Sequence, residues 1–289
     1  MTRNIRRFVL FALICLSCCS PLAYAIDLPE NNPIPGGIAI IELNERAQLT
    51  PDKPIVRYKG RRVMVVKNDN QWYAAVGIPL SAKTGDHKID IQQNGIDSQR
   101  SFTVKEKTYK SQHITIKDKR KVEPNAKDLQ RIKTERLKIN EALRDWQDKD
   151  LTSIQFTVPI PGELSSPFGL RRFFNGQPRK PHSGIDIAAP EGTPIRAPIE
   201  GIVINTGNYF FNGNSVFIQH GQGLVTMYCH LNEITVKEGQ TIYQGEQIGT
   251  VGMTGRATGP HLHWSVSMND ARINPVLLLP GNTFKNSEL

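Results

Sequence analysis

Gly201-Ile202-Val203-Ile204, Ser215-Val216-Phe217-Ile218, Val225-Thr226-Met227-Tyr228 and the run from Leu262 to Val266 decide the fold. Each is a short apolar run, and the text between them is rich in Gly and Pro, which predicts strands joined by tight turns. Val236-Lys237-Glu238-Gly239-Gln240 and Tyr243-Gln244-Gly245-Glu246 read as two hairpin corners of the same sheet. From Phe156 onward the chain is therefore expected to be almost all β.

Five of the seven histidines lie in this half, between positions 182 and 263. Side chains alternate along a strand, so residues at even separation share a face. His182-Ser183-Gly184-Ile185-Asp186 places an imidazole and a carboxylate four apart, and the following Ile187-Ala188-Ala189-Pro190 carries no helix signature. His261-Leu262-His263 turns two imidazoles into one groove and Leu262 into the core. Tyr228-Cys229-His230-Leu231 is expected to put Tyr228 and His230 on one face and Cys229 on the other. Two imidazoles and one carboxylate form a catalytic type of zinc site, because three protein ligands leave a fourth position open. A structural site would close that position with Cys, and Cys229, the only candidate, is expected to face the opposite way and stay out of the sphere. His220, just before a hairpin turn, is expected to be structural. Arg171 and Asn214 are open between substrate contact and plain turn or strand-edge hydrogen bonding.

Working toward the N terminus, Asn125 to Asp148 carries Leu129, Ile132, Ile139, Leu143 and Trp146 at three-and-four spacing. This predicts an amphipathic helix roughly 36 Å long. Its Lys and Arg residues are interspersed with Asp and Glu, the pattern of a solvated face on a helix docked between two domains. Before it, Ile38 to Ile41, Val63 to Val66, Trp72 to Val76, His87 to Ile91 and Ile114 to Ile116 are short runs broken by turn residues, predicting a small antiparallel β-sandwich. His87 and His113 have no carboxylate at ligand spacing and read as surface strand histidines.

Met1 to Ala25 has Arg3, Arg6 and Arg7, an apolar run from Phe8 to Leu16 and a small-residue close at Ala23-Tyr24-Ala25, the layout of a secretory signal. The alternative is an uncleaved membrane anchor. Cleavage after Ala25 would leave 264 residues, lower the formal charge from +9 to +6 and remove Cys15, Cys18 and Cys19, leaving Cys229 without a disulfide partner. The basic balance favours an anionic partner. Export argues against nucleic acid and for the carboxylate-rich cell wall. The expected organisation is a signal at 1–25, a β-sandwich at 26–118, linker and helix at 119–153 and the metal-bearing unit at 154–289.

In order, Phe168-Gly169-Leu170-Arg171, His182-Ser183-Gly184-Ile185-Asp186, Gly192-Thr193-Pro194, Tyr228-Cys229-His230-Leu231 and Gly259-Pro260-His261-Leu262-His263-Trp264 resemble the lysostaphin-type (LytM-like) zinc metallopeptidases. The resemblance covers about Pro161 to Pro275. It implies an antiparallel β-sheet groove, one zinc per chain held by His182, Asp186 and His263, and catalytic roles for His230 and His261. His261 is expected as general base and His230 as oxyanion stabiliser, with the reverse left open. The implied activity is hydrolysis of peptide cross-links in peptidoglycan during cell wall remodelling, by an exported, periplasmic, monomeric hydrolase. Non-catalytic relatives that activate other wall hydrolases lack motif residues, whereas all five positions are present here. The first domain is expected either to cover the groove, together with the helix, or to dock an envelope adaptor.

Overall fold

The computed structural model describes residues 27–43, 52–68, 71–151, 153–281 and 283–284, so the secretory signal expected at 1–25 lies outside the described residues. The first unit has strands β1 (Ile38–Glu42), β2 (Ile55–Tyr58), β3 (Arg61–Arg62), β4 (Met64–Asn68), β5 (Gln71–Gly77), β6 (Gly85–Gln93) and β7 (Ile96–Val104). They form two sheets, β1-β5-β4 and β3-β2-β6-β7. Val56, Tyr58, Ile89 and Ile91 of the second sheet pack on Ala39, Ile41, Val65 and Val76 of the first, giving the expected sandwich.

The continuous apolar text of β1, β4 and β5 has a physical reason, because that sheet is buried on both faces. Ile38, Met64, Val66 and Ala75 point away from the sandwich into a second core that also holds Met268 and Ile273. Buried hydrogen bonds run along the same boundary. Gly77 N donates to Asn269 Oδ1 at 2.7 Å, and Asn269 Nδ2 returns a bond to Gly77 O at 2.9 Å.

Ile114 to Ile116 departs from expectation. The strand here is β8 (Ser111–Ile114), and it leaves the sandwich to pair in parallel with β10 of the second unit. Helix α1 is also shorter than expected, running Ala126–Ala142 with Asn125 capping Asp128 N. Its C-terminal end is pulled onto the sheet. Ser267 Oγ donates to Leu143 O, Gln219 Nε2 to Asp145 O and Gln222 N to Gln147 O, so those carbonyls serve tertiary bonds instead of another helical turn. Leu129 is 55% exposed, outside the docked stripe, and Trp146 lies beyond the helix with the Arg62 guanidinium 4.4 Å above its ring.

The second unit contains β9 (Glu163–Ser166), β10 (Arg171–Phe174), β11 (Gln177–Pro178), β12 (Ile185–Ala188), β13 (Pro194–Arg196), β14 (Gly201–Tyr209), β15 (Gly213–Gly221), β16 (Leu224–Ile234), β17 (Thr241–Ile242), β18 (Gln247–Val251), β19 (His261–Met268) and β20 (Ala271–Ile273). The main sheet runs β17-β14-β15-β16-β19-β12-β9 with antiparallel neighbours. One face sends Val216, Ile218, Tyr228, Leu262, Trp264 and Val266 into the core. The other face forms a groove. Phe217, Val225, Met227 and Cys229 on that face are covered by Ile139, Ala142 and Leu143, so α1 docks on the groove side of this sheet.

Candidate active site

Adjacent positions on β12 and β19 supply two of the metal candidates, because Asp186 pairs directly with His263 and so shares its face. His182 arrives differently from the expectation. It precedes β12, on a loop held by Gly169 N to His182 O at 2.8 Å and His182 N to Leu170 O at 2.9 Å. The Phe168-Gly169-Leu170 segment, not strand alternation, therefore delivers His182 to the groove.

His182 Nε2 lies 3.0 Å from Asp186 Oδ1 and 3.0 Å from His263 Nδ1, and Asp186 Oδ1 lies 2.7 Å from His263 Nδ1. The outer nitrogens are already committed. His182 Nδ1–H donates to Pro167 O at 2.8 Å. Ser265 Oγ donates to Ser183 O, so it accepts from His263 Nε2–H at 3.2 Å. In the neutral rings both inward nitrogens then carry lone pairs, aimed at a carboxylate oxygen that also carries one. Three converging acceptors repel each other unless a cation sits among them. A tetrahedral ion with bonds of about 2.0–2.2 Å seats its donors about 3.3 Å apart, so a small expansion of this triangle admits zinc. This is the one such group of three among the described residues.

Burial alone would raise the Asp186 pKa, but positive charge and N–H donation from His182 and His263 in their protonated forms, standing where a cation would sit, outweigh it and hold the carboxyl well below its usual range. Burial pushes His263 down to about 4, which keeps its ring neutral and able to ligate near pH 7. Asp186 Oδ2, the oxygen turned away from the triangle, receives Arg172 Nη2 at 2.7 Å.

His230 and His261 stand beside the triangle, their ring centres 4.8 Å apart. His230 Nδ1 donates to Thr254 O and His261 Nδ1 to Gly259 O, both at 2.8 Å, so each keeps Nε2 as an acceptor. Burial pushes His230 down to about 3. The alternation argument for His230 fails even though the residue arrives. Tyr228 pairs with Trp264 and is fully buried in the core, while Cys229 pairs with His263 and shares the groove face. His230 reaches the groove because its φ is +66°, a left-handed turn that breaks the alternation. Such a conformation is uncommon outside Gly and costs about 1–2 kcal/mol. Cys229 packs under α1, and burial raises its pKa to about 12, so it stays a protonated thiol.

The remaining candidates sort cleanly. His220 is buried with Nδ1 donating to Glu200 O and Nε2 accepting from Thr226 Oγ1, so it is structural. Asn214 binds Leu231 O and Asn232 O through Nδ2 and is a strand-edge clasp. Arg171 is exposed, and its backbone N donates to Lys110 O. His113 is exposed and stacks on Phe173 at 4.6 Å.

The groove holds a cleft of about 480 Å³ walled by α1 on one side and by His182, His230 and His263 on the other. Sequence reasoning missed its cations. Arg179, Arg256 and Arg272 line it, and none has a carboxylate within ion-pair distance among the described residues. Arg256 lies 4.2 Å over Phe211 and 4.6 Å over Phe174, while Arg272 Nη1 donates to Ser267 Oγ. Burial pushes both guanidiniums down to about 10. The pairing of Ser267 with Arg272 sets Arg272 on the groove face, four residues along β19 from His263, or about 13 Å.

A family model described as peptidase family M23 matches residues 180–275, and one described as the M23 N-terminal domain matches residues 31–107. A crystal structure of a peptidase M23 from Pseudomonas aeruginosa is 40% identical, with a TM-score of 0.73, and the match covers 86% of this chain and 95% of that one. The DD-carboxypeptidase/endopeptidase Mpg of Neisseria meningitidis serogroup B is 45% identical over 113 residues, 39% of this chain and 26% of that protein. The peptidoglycan DD-endopeptidase ShyA of Vibrio cholerae is 40% identical over 135 residues, 45% of this chain and 31% of that protein. The matched stretch thus spans between a quarter and a third of these two relatives.

Proposed function

The chain belongs to peptidase family M23, and from that premise we propose that it is a zinc-dependent endopeptidase hydrolysing the peptide cross-links of peptidoglycan. The observation that carries this reading is the convergence of His182 Nε2, Asp186 Oδ1 and His263 Nδ1 beside two further imidazoles with free Nε2 atoms. Zinc held by those three atoms supplies a Lewis acid for the scissile carbonyl and lowers the pKa of water at the site toward about 7.

His261 Nε2 takes a proton from the attacking water as general base. His230 resists that role, because burial disfavours its charged form. With Nδ1–H committed to Thr254 O, the oxyanion role expected of His230 requires the charged ring that burial opposes, so in this reading its Nε2 acts as an acceptor that orients the attacking water. Unpaired guanidiniums in the cleft suit a substrate that carries free carboxylates, as wall peptides do. Mpg and ShyA are named for DD-carboxypeptidase/endopeptidase and DD-endopeptidase activity, which supports a D-alanyl cross-link to a diamino acid as the target.

Residues 1–25 support an exported, periplasmic location, with anchoring by an uncleaved leader as the alternative. In this reading the protein works as a monomer, and the α1 wall supports partial cover of the cleft.

Digestion of purified sacculi tests the reading. Cross-linked muropeptide dimers should fall to monomers, and a chelator or His263→Ala should abolish the release. Zinc-loaded protein that releases nothing but stimulates a second wall hydrolase would establish a regulator instead.

A further inference from the structure

We infer that Arg172, itself held by Gln112, is a positioning residue for Asp186, so that the metal centre of the second unit is completed by a segment lying outside it. The inference rests on the metal-centre reading above. Asp186 uses Oδ1 toward the two imidazoles, and its other oxygen accepts Arg172 Nη2 at 2.7 Å. A carboxylate that offers one oxygen can still rotate and swing the second oxygen inward. Pinning Oδ2 removes that freedom and leaves Oδ1 as the single donor, the ordinary effect of an outer partner on a metal ligand. The pair is largely withdrawn from water, with 17% and 12% of the two side chains exposed, so the bond is little screened.

Arg172 is held in turn from two further elements. Its Nη2 also donates to Ser166 Oγ of β9 at 3.1 Å, and its Nε donates to Gln112 Oε1 of β8 at 3.2 Å. Gln112 is opposite Arg172 in the parallel β8–β10 register. The register is closed at both ends, by Arg171 N to Lys110 O at 2.9 Å and by Asn175 N to Ile114 O at 3.0 Å. Parallel pairing between strands 60 residues apart has no hairpin to set it, so side chains and neighbouring contacts must do so.

Tyr109 supplies one such contact. Its ring lies against Gly169, where an added Cβ would fall 2.1 Å from a ring carbon, and its Oη donates to Pro35 O. Gly169 adopts a φ of +83°, and its N–H is the donor that holds the His182 carbonyl. Residues 109–114 therefore reach two metal candidates, His182 through Gly169 and Asp186 through Arg172.

The test uses the full mature chain and measures zinc affinity by competition with a chromogenic chelator, together with the visible spectrum of the cobalt-substituted protein. Arg172→Gln should weaken zinc binding by about 10–100-fold and shift the cobalt bands. Arg172→Lys should recover part of the loss, since a point charge replaces a fork. Gln112→Leu, on a different element, should weaken zinc by a smaller factor in the same direction, and it carries the test if Arg172→Gln does not fold. Unchanged zinc affinity and an unchanged cobalt spectrum in folded Arg172→Gln, with KM alone altered, would make Arg172 a substrate contact and overturn the inference. Wild-type protein that binds no zinc would remove the metal-centre premise as well, so the two failures are distinguishable.

Discussion

His87 in the first unit and the histidines of the groove differ in what is left over after structural hydrogen bonding. His87 spends both nitrogens, Nδ1 with Tyr58 Oη at 2.6 Å and Nε2 with Lys83 O at 2.8 Å. His182, His230 and His261 each spend one nitrogen on a backbone carbonyl, and His263 spends one on Ser265, leaving the other turned into the groove. The same side chain is a strut in one region and, on the proposed reading, a reagent in the other. Chemistry resides where lone pairs remain and converge, which residue type alone does not reveal.

Removing a converging lone pair should break the contrast most. His182→Ala, Asp186→Ala and His263→Ala should each lose bound zinc and all measurable hydrolysis, while His87→Ala keeps both. Metal analysis of the purified proteins checks this, and stoichiometric zinc in His263→Ala would overturn the ligand set. Next in size, His230→Ala and His261→Ala should retain most of the zinc yet lose about a hundredfold or more in turnover. Near-normal rates in both would remove them from the chemistry.

A smaller effect is expected along the cleft. Arg272→Gln should raise KM about tenfold on a carboxylate-bearing peptide, leaving kcat and the rate on the amidated peptide unchanged. Equal loss on both peptides would assign Arg272 to the fold instead.

The last test separates strut from reagent inside the second unit. His220 resembles His87 in spending both nitrogens, and burial pushes its pKa down to about 4 against an ordinary 6.5. The unfolded chain then binds the extra proton first as pH falls, so stability should decline from about pH 6.5 toward about pH 4. Urea midpoints of the metal-free protein across that range should show the slope. His220→Gln should flatten part of it while leaving zinc affinity at neutral pH intact.

Much of this was legible because strand alternation is a short-range rule. Leu262 and Trp264 in the core with His261 and His263 in the groove follow from a period of two. The rule failed where the backbone leaves the period. His230 turns through a positive φ, and His182 sits on a loop placed by hydrogen bonds to Gly169 and Leu170, outside its own strand. β7 was missed for the opposite reason. Its text, Ile96-Asp97-Ser98-Gln99-Arg100-Ser101, is polar because most of the strand is exposed, so no apolar signal marks it. Trp146 was drawn into the helix by its spacing, but spacing carries no information about which carbonyls the sheet will claim. Arg172 stood next to Arg171 in the text, and only the β10 pairing shows which of the two turns inward.

The order of strands in the sheet also sets when the three candidate ligands can meet. β19 is hydrogen-bonded between β16 and β12, and it carries His263, which meets a partner 81 residues earlier in the chain. A polypeptide made from its N terminus completes the sandwich, β8, α1, His182 and Asp186 before the strand that closes the triangle exists. No shorter nascent chain holds all three donors. On the proposed reading, latency during synthesis is thus written into the topology, because the candidate metal triangle is completed only as one of the last strands threads into place.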